Sequence, residues 1–176
     1  LESPKNVKLP SLFLFDIQDE QLQPLKDLLA KEQIELSNAS PMIRARILKV
    51  NDSNYERTVE DQSFKTREEE NEARFRNRGV NLSYRENLTD SEKLEEGRPF
   101  SGMFDESSGK PVELSVESRF AERMGLQLDD KITFDVQGVD LIGQIVNLRS
   151  VKWNSFQPNF FVMLQPGALE GAPKTW

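Results

Sequence analysis

The sequence predicts an α+β fold: a strand-helix-strand (βαβ-type) half-lobe at the start, followed by a β-rich lobe with short helices. Three observations carry that expectation. Leu22, Leu25, Leu28 and Leu29 recur at helical spacing between two apolar runs of strand length, residues 12–17 and 42–50. Ile132, Phe134 and Val136 alternate with Thr133 and Asp135 ahead of Gln137-Gly138, the pattern of a half-buried strand entering a hairpin. Residues 151–164, V-K-W-N-S-F-Q-P-N-F-F-V-M-L, hold four of the thirteen Trp and Phe residues and lead into Gln165-Pro166-Gly167. Apolar at nearly every position and closed by a turn, residues 159–164 read as a strand covered on both faces.

In chain order, the run L-F-L-F-D-I at 12–17 reads as the first strand, and Asp19 as the N-cap of the helix that follows. Pro24 fits best in a first turn, so the helix start is expected at or after Asp19. A brief strand over 34–36 and a turn over 37–41 lead into residues 42–50, where Ile43, Ala45 and Ile47 share one face and Arg44 and Arg46 the other. Beyond a turn at 51–54, Thr66 with Glu69 has capping-box spacing, and Glu70–Arg74 and Glu72–Arg76 are i,i+4 pairs, which predicts a solvated helix over 66–77. Thr89 with Glu92 repeats the spacing ahead of Gly97 and predicts a short helix; residues 100–110 read as a loop. Ser115 is the expected cap of a helix carrying Val116, Phe120, Ala121 and Met124, ended by Gly125. In the return strand 139–148 the apolar parity changes beside Gly143, which predicts a bulge or a strand crossing between two packing surfaces there.

Composition narrows the chemistry. At 176 residues the chain is long enough for a sizeable core. Its net charge of −7 repels a phosphate backbone, so nucleic acid is not an expected partner. The absence of Cys removes disulfides and thiol catalysis. The absence of His removes the imidazole base, the Ser-His-Asp triad and an ordinary zinc site. No window approaches the ~18 to 20 apolar residues that span a bilayer, and residues 1–10 lack an apolar signal core, so the polypeptide is expected to be soluble as given.

On these residues the chain resembles a known family. E-L-S-V-E-S-R-F-A-E-R-M-G-L-Q-L-D-D-K-I-T-F and V-N-L-R-S-V-K-W-N-S-F-Q-P-N-F-F-V-M-L-Q-P-G-A-L-E-G resemble an extracytoplasmic segment of ABC-transporter permeases of the MacB, LolC and FtsX type, nearest the YbbP-like permeases. L-F-L-F-D-I-Q-D-E-Q-L-Q-P-L-K-D-L-L and P-M-I-R-A-R-I support the likeness. The resemblance implies a MacB-like periplasmic core domain between membrane helices, on the periplasmic face of the bacterial inner membrane. It divides the chain into a half-lobe over 1–52, an inserted mixed lobe over 53–150, and an aromatic return strand and tail over 151–176. It also implies a separate ATP-binding subunit as partner, a periplasmic protein or lipid-like substrate as further contact, a homodimer as one arrangement, and no cofactor. Family members tend to have Gly-Asp where this chain has Asp129-Asp130, which leaves the type of that turn open. Because such permeases continue with another strand-helix-strand, the face of residues 12–50 is expected to be covered by a neighbouring copy or by rearranged termini.

Three functions are weighed. The first, implied by the resemblance, is a non-catalytic permease domain for export or transmembrane mechanotransmission. The second is a carboxylate-dependent hydrolase of glycans or lipids, which needs two carboxylates facing one cleft. The third is an adaptor binding a protein through Trp153, Phe156 and Pro158, on the irregular approach to the last strand; the plain alternative for these aromatics is core packing. Ser107 and Lys110 have Ser-x-x-Lys spacing but stand in S-S-G-K-P, where turn residues belong anyway. Asp129-Asp130 and Asp135 with Asp140 read as solvated turn charges, since adjacent strand positions face opposite ways and no D-x-D-x-D-G loop occurs.

Overall fold

The computed structural model describes residues 12–55, 79–155 and 157–176; the helix expected over 66–77, and Phe156, lie outside them. Among the described residues the elements are α1 (Asp19–Lys31), β1 (Ile43–Val50), β2 (Ser53–Asn54), β3 (Val80–Tyr84), β4 (Glu92–Gly97), β5 (Val112–Glu117), α2 (Ser118–Met124), β6 (Lys131–Val136), β7 (Val139–Val151) and β8 (Val162–Leu164). Six strands close on themselves in the order β1, β3, β8, β5, β7, β6 and back to β1. The β3–β8 and β5–β7 pairs are parallel and the other four antiparallel. Closure leaves the ring with no unpaired edge, and β2 and β4 add on outside it at β1 and β7.

Alternation explains the closed core. Ile43, Ala45 and Ile47 of β1, Val112, Leu114 and Val116 of β5, and Ile132, Phe134 and Val136 of β6 all point inward and are buried together. The predicted hairpin forms as a two-residue turn, with Gln137 at φ 53° and Gly138 at φ 93°, the left-handed pair that matches the twist of its strands. The predicted bulge forms slightly further along: Leu114 and Ser115 of β5 oppose Ile145 and Asn147 of β7, leaving Val146 over. Gly143 lies opposite Val112, where a Cβ would come within 2.6 Å of the Leu114 side chain.

The strand-helix-strand start is not what forms. Residues 12–17 make no sheet strand, and β1 pairs only with antiparallel neighbours β2, β3 and β6 among the described residues. Without a parallel partner strand there is no sheet face for α1 to cover, and none of its residues is buried. Residues 34–36 are exposed loop. Gln18, not Asp19, caps α1: its N–H donates to Oε1 of Gln21 at 3.0 Å, and Pro24 is carried in the second turn. The C-terminal residues reach this region. Ile17 and Trp176 exchange backbone hydrogen bonds of 3.1 and 2.8 Å, and Met42 and Thr175 exchange two of 2.7 and 3.1 Å. The last two residues thus meet Ile17 and Met42, while Leu12, Phe15, Leu28 and Ile34 of the same stretch stay exposed, so the cover expected for the face of residues 12–50 is largely missing among the described residues. Strands from 1–52, 53–150 and 151–176 all share the one closed sheet.

Two expected helix starts are overruled by strand pairing. Glu92–Gly97 is strand β4 along β7, although Glu92 does accept from the N–H of Thr89 at 3.0 Å as a capping box would have it. Ser115 lies inside β5, and Glu117 caps α2 instead, accepting from the N–H of Phe120 at 2.7 Å. Gly125 ends α2 at φ 66° as predicted.

Candidate partner surface

The approach to β8 is built on one buried cation. Arg149 of β7 is wholly buried, and its Nε donates to Glu92 of β4 at 3.0 Å. One terminal nitrogen donates to the carbonyl of Ser115 at 2.6 Å and the other to the carbonyl of Phe160. A single guanidinium therefore ties β4, β5 and β7 to the segment entering β8, using its fixed fork of donors. Burial pushes Arg149 below its ordinary value, and Glu92 opposes the shift. Burial raises Glu92, but the Thr89 N–H and the charges of Arg149 and Arg85 outweigh it and hold the carboxyl below its ordinary range.

That anchored segment presents an aromatic ladder. Trp153 sits in the turn closed by the Ser155 N–H on the Lys152 carbonyl at 3.0 Å, and it is 44% exposed. Its ring centroid is 4.9 Å from that of Phe161, itself 42% exposed, and Phe161 stacks at 4.9 Å on buried Phe120 of α2. The ladder runs from solvent into the core, so Trp153 belongs to both of the readings drawn from the sequence. Pro158 is half-buried beside it in sequence, and Phe156 lies outside the described residues. Phe120, Phe161 and Arg149 went unassigned to any site. Phe120 and Phe161 read as core from apolarity alone, and an isolated Arg in a strand carries no sign that it will be buried.

The carboxylates have structural partners. Asp130 accepts from Asn51 Nδ2 at 3.0 Å and from the Gln127 N–H at 2.9 Å. Asp135 accepts from Arg46 at 2.7 Å and from the Gly138 N–H at 2.6 Å; the Arg46 bond first, then the Gly138 bond, lowers its pKa. Asp129 takes the left-handed conformation at φ 68°, the geometry that suits glycine, and accepts from Gln144 at 3.3 Å. Asp129 is the one carboxylate lining a cavity of about 240 Å³ bounded by Gly97, Arg98, Leu128, Gln144 and Val146. Ser107 donates its hydroxyl to Asp105 at 2.6 Å within a 3-10 turn, which accounts for it without Lys110. Among the described residues, no group of three or more acidic side chains could hold a metal ion, and no helix is long and apolar enough to cross a membrane.

Comparison with known proteins adds one finding. Over 167 residues, 95% of this chain, the sequence is 31% identical to an uncharacterized ABC transporter permease, YbbP, of Escherichia coli (strain K12). The chain spans 18% of that protein's length. No family model matches, and no solved structure matches. The chain is thus similar to a segment of an ABC transporter permease.

Proposed function

We propose that this chain is a non-catalytic domain of an ABC transporter permease subunit, standing on the periplasmic face of the inner membrane and serving export or transmembrane mechanotransmission. The observation that carries the reading is identity to a permease along nearly the whole chain. In this reading the closed sheet is the β-rich lobe of a MacB-like core. A separate ATP-binding subunit closes on nucleotide and moves the membrane helices, and the lobe follows as a unit because closure leaves it no free edge to slide along. What it then holds or releases is a periplasmic protein or a lipid-like molecule.

The chain has no cysteine, which gives a direct test. Val139, the first residue of β7 and 68% exposed, is replaced by Cys in the full-length gene product. In intact cells a membrane-impermeant maleimide should label Val139→Cys, and the protein should co-purify with an ATP-binding subunit. Labelling only after the inner membrane is breached, or esterase turnover by the purified 176-residue chain, would end the reading.

The exposed Trp153–Phe161 pair favours a second reading as an adaptor for a protein partner. Trp153→Ala then leaves the fold intact while periplasmic cross-links at position 155 disappear; cross-links that persist unchanged remove this reading.

A further inference from the structure

We propose that the cavity where β7 changes partners binds a small organic cation, a primary ammonium carried on a short apolar chain. β7 runs for 13 residues, and neither β6 nor β4 follows it throughout. β6 pairs with it over residues 139–144 and β4 over 147–151. The handover falls at Val146, the residue left over by the bulge against β5. There the end of β4 and the turn before β6 bound the cavity of about 240 Å³, with buried Val146 in its lining. Gly97 leaves it open, because close approach to the Val146 carbonyl admits no side chain there.

The polar groups around the cavity favour a cation. Among the described residues the Asp129 carboxylate accepts only from Gln144 Nε2, at 3.3 Å, a long bond that leaves most of its lone pairs open. Arg98 also lines the cavity, but its charge is already matched: Nη2 donates to Glu113 at 2.6 Å and Nη1 to the Pro99 carbonyl at 3.0 Å. A ligand carboxylate would have to displace Glu113 to reach that guanidinium. An ammonium instead meets a carboxylate with no cation at contact distance, in a chain whose net charge of −7 draws cations to its surface. Gln144, its amide nitrogen turned to Asp129, keeps a carbonyl oxygen for a second N–H of the ammonium. Val146 and half-buried Leu128 give the ligand's methylenes an apolar wall.

The backbone holds Asp129 there at a cost. Its φ of 68° suits glycine, so the turn alone does not ask for a carboxylate at this position. Neighbouring Asp130 is by contrast taken up by Asn51 and the Gln127 N–H. The site is made by β4, β7 and the turn before β6, and it stands or falls apart from the permease reading.

The test is an amide NMR titration of the isotope-labelled 176-residue chain with n-butylammonium chloride. The amides of Gly97, Arg98, Asp129 and Gln144 should shift saturably, with a dissociation constant on the order of 1 mM. Sodium chloride, n-butanol and sodium butyrate at matched concentrations should leave them near their starting positions. Asp129→Asn and Asp129→Gly should each weaken binding about tenfold or more. Glycine relieves the backbone at that position, so the urea midpoint of Asp129→Gly should stay at or above the parent's, and its lost binding is not lost folding. Asp140→Asn removes the same charge at an exposed hairpin position outside the cavity and should bind like the parent. Nα-acetyl-lysine methylamide, titrated in parallel, separates a free amine from a lysine on a protein surface, the tighter binder naming the source of the ammonium. The proposal is overturned if n-butylammonium shifts these amides no more than sodium does, or if butyrate binds as well. It is equally overturned if either Asp129 variant binds like the parent, or if Asp140→Asn binds as poorly as they do.

Discussion

Arg149 is the residue on which the most separate pieces of chain depend. Removing one partner of a buried pair leaves the other charge desolvated, so Arg149→Met should lower unfolding free energy by about 3–5 kcal/mol in urea titration. Trp153 is half exposed and rests on one ring, and Trp153→Ala should cost only about 1–2 kcal/mol. Equal losses would mean that the ladder, not the guanidinium, anchors the approach to β8. The pair also sets a pH dependence. Glu92 is held below its ordinary value, so its contribution is fully present above the unfolded value of about 4.3 and is lost as pH falls through the lower folded value. Glu92→Gln should be less stable at neutral pH and show a shallower loss of stability from about pH 5 downward than the parent. An acid limb of unchanged slope would assign it to other carboxylates, Glu113 beside Arg98 first among them.

At the scale of elements, β4 is held against β7 by a close approach at Gly97. With φ 86°, a Cβ there would stand 2.2 Å from the carbonyl oxygen of Val146, so neither conformation nor space admits one. Gly97→Ala should cost about 2 kcal/mol or more and raise amide exchange in β4 above that in β5. The turn at Asp129 tests the reverse case: its φ of 68° strains a residue with a side chain, so Asp129→Gly should be neutral or stabilise by up to about 1 kcal/mol, and Asp129→Val should destabilise. The element scale is also where the sequence was partly legible. Strict alternation made β1 and β6 readable, and Gln137-Gly138 fixed the hairpin, because these signals are local. Glu92–Gly97 carried a helix-start spacing and still became a strand, since pairing with β7 and the Arg149–Glu92 bond outweigh a cap. Residues 12–17 read as a strand from length and apolarity alone, but a strand needs a pairing partner, and nothing in six residues says whether one is there. Trp153 was legible as a surface candidate; its support from Phe161 and Phe120 was not, because that contact joins positions 153, 161 and 120 through the sheet.

For the molecule as a whole, ring closure and the N-terminal segment are separable. The ring closes where β1, from early in the chain, meets β6, and where β8, from its end, slots between β3 and β5. No ring strand can be withdrawn without opening two ladders and exposing the shared core of Ile43, Leu82, Leu114, Phe134 and Leu164. By contrast, α1 buries no residue, and its ties among the described residues include the capping contact and Thr175 bridge at Gln18 and the contacts of Asp19 with Trp176 and Lys174. A chain beginning at residue 37 keeps the Met42–Thr175 pairing and every ring strand. It should unfold in one cooperative transition, within about 1–2 kcal/mol of the parent, because little apolar area is lost from the core. A chain ending at residue 161 loses β8 and should not fold cooperatively at all. If the first truncation proved as damaging as the second, residues 12–36 would be part of the fold's foundation, and the closed ring would not be the unit that folds.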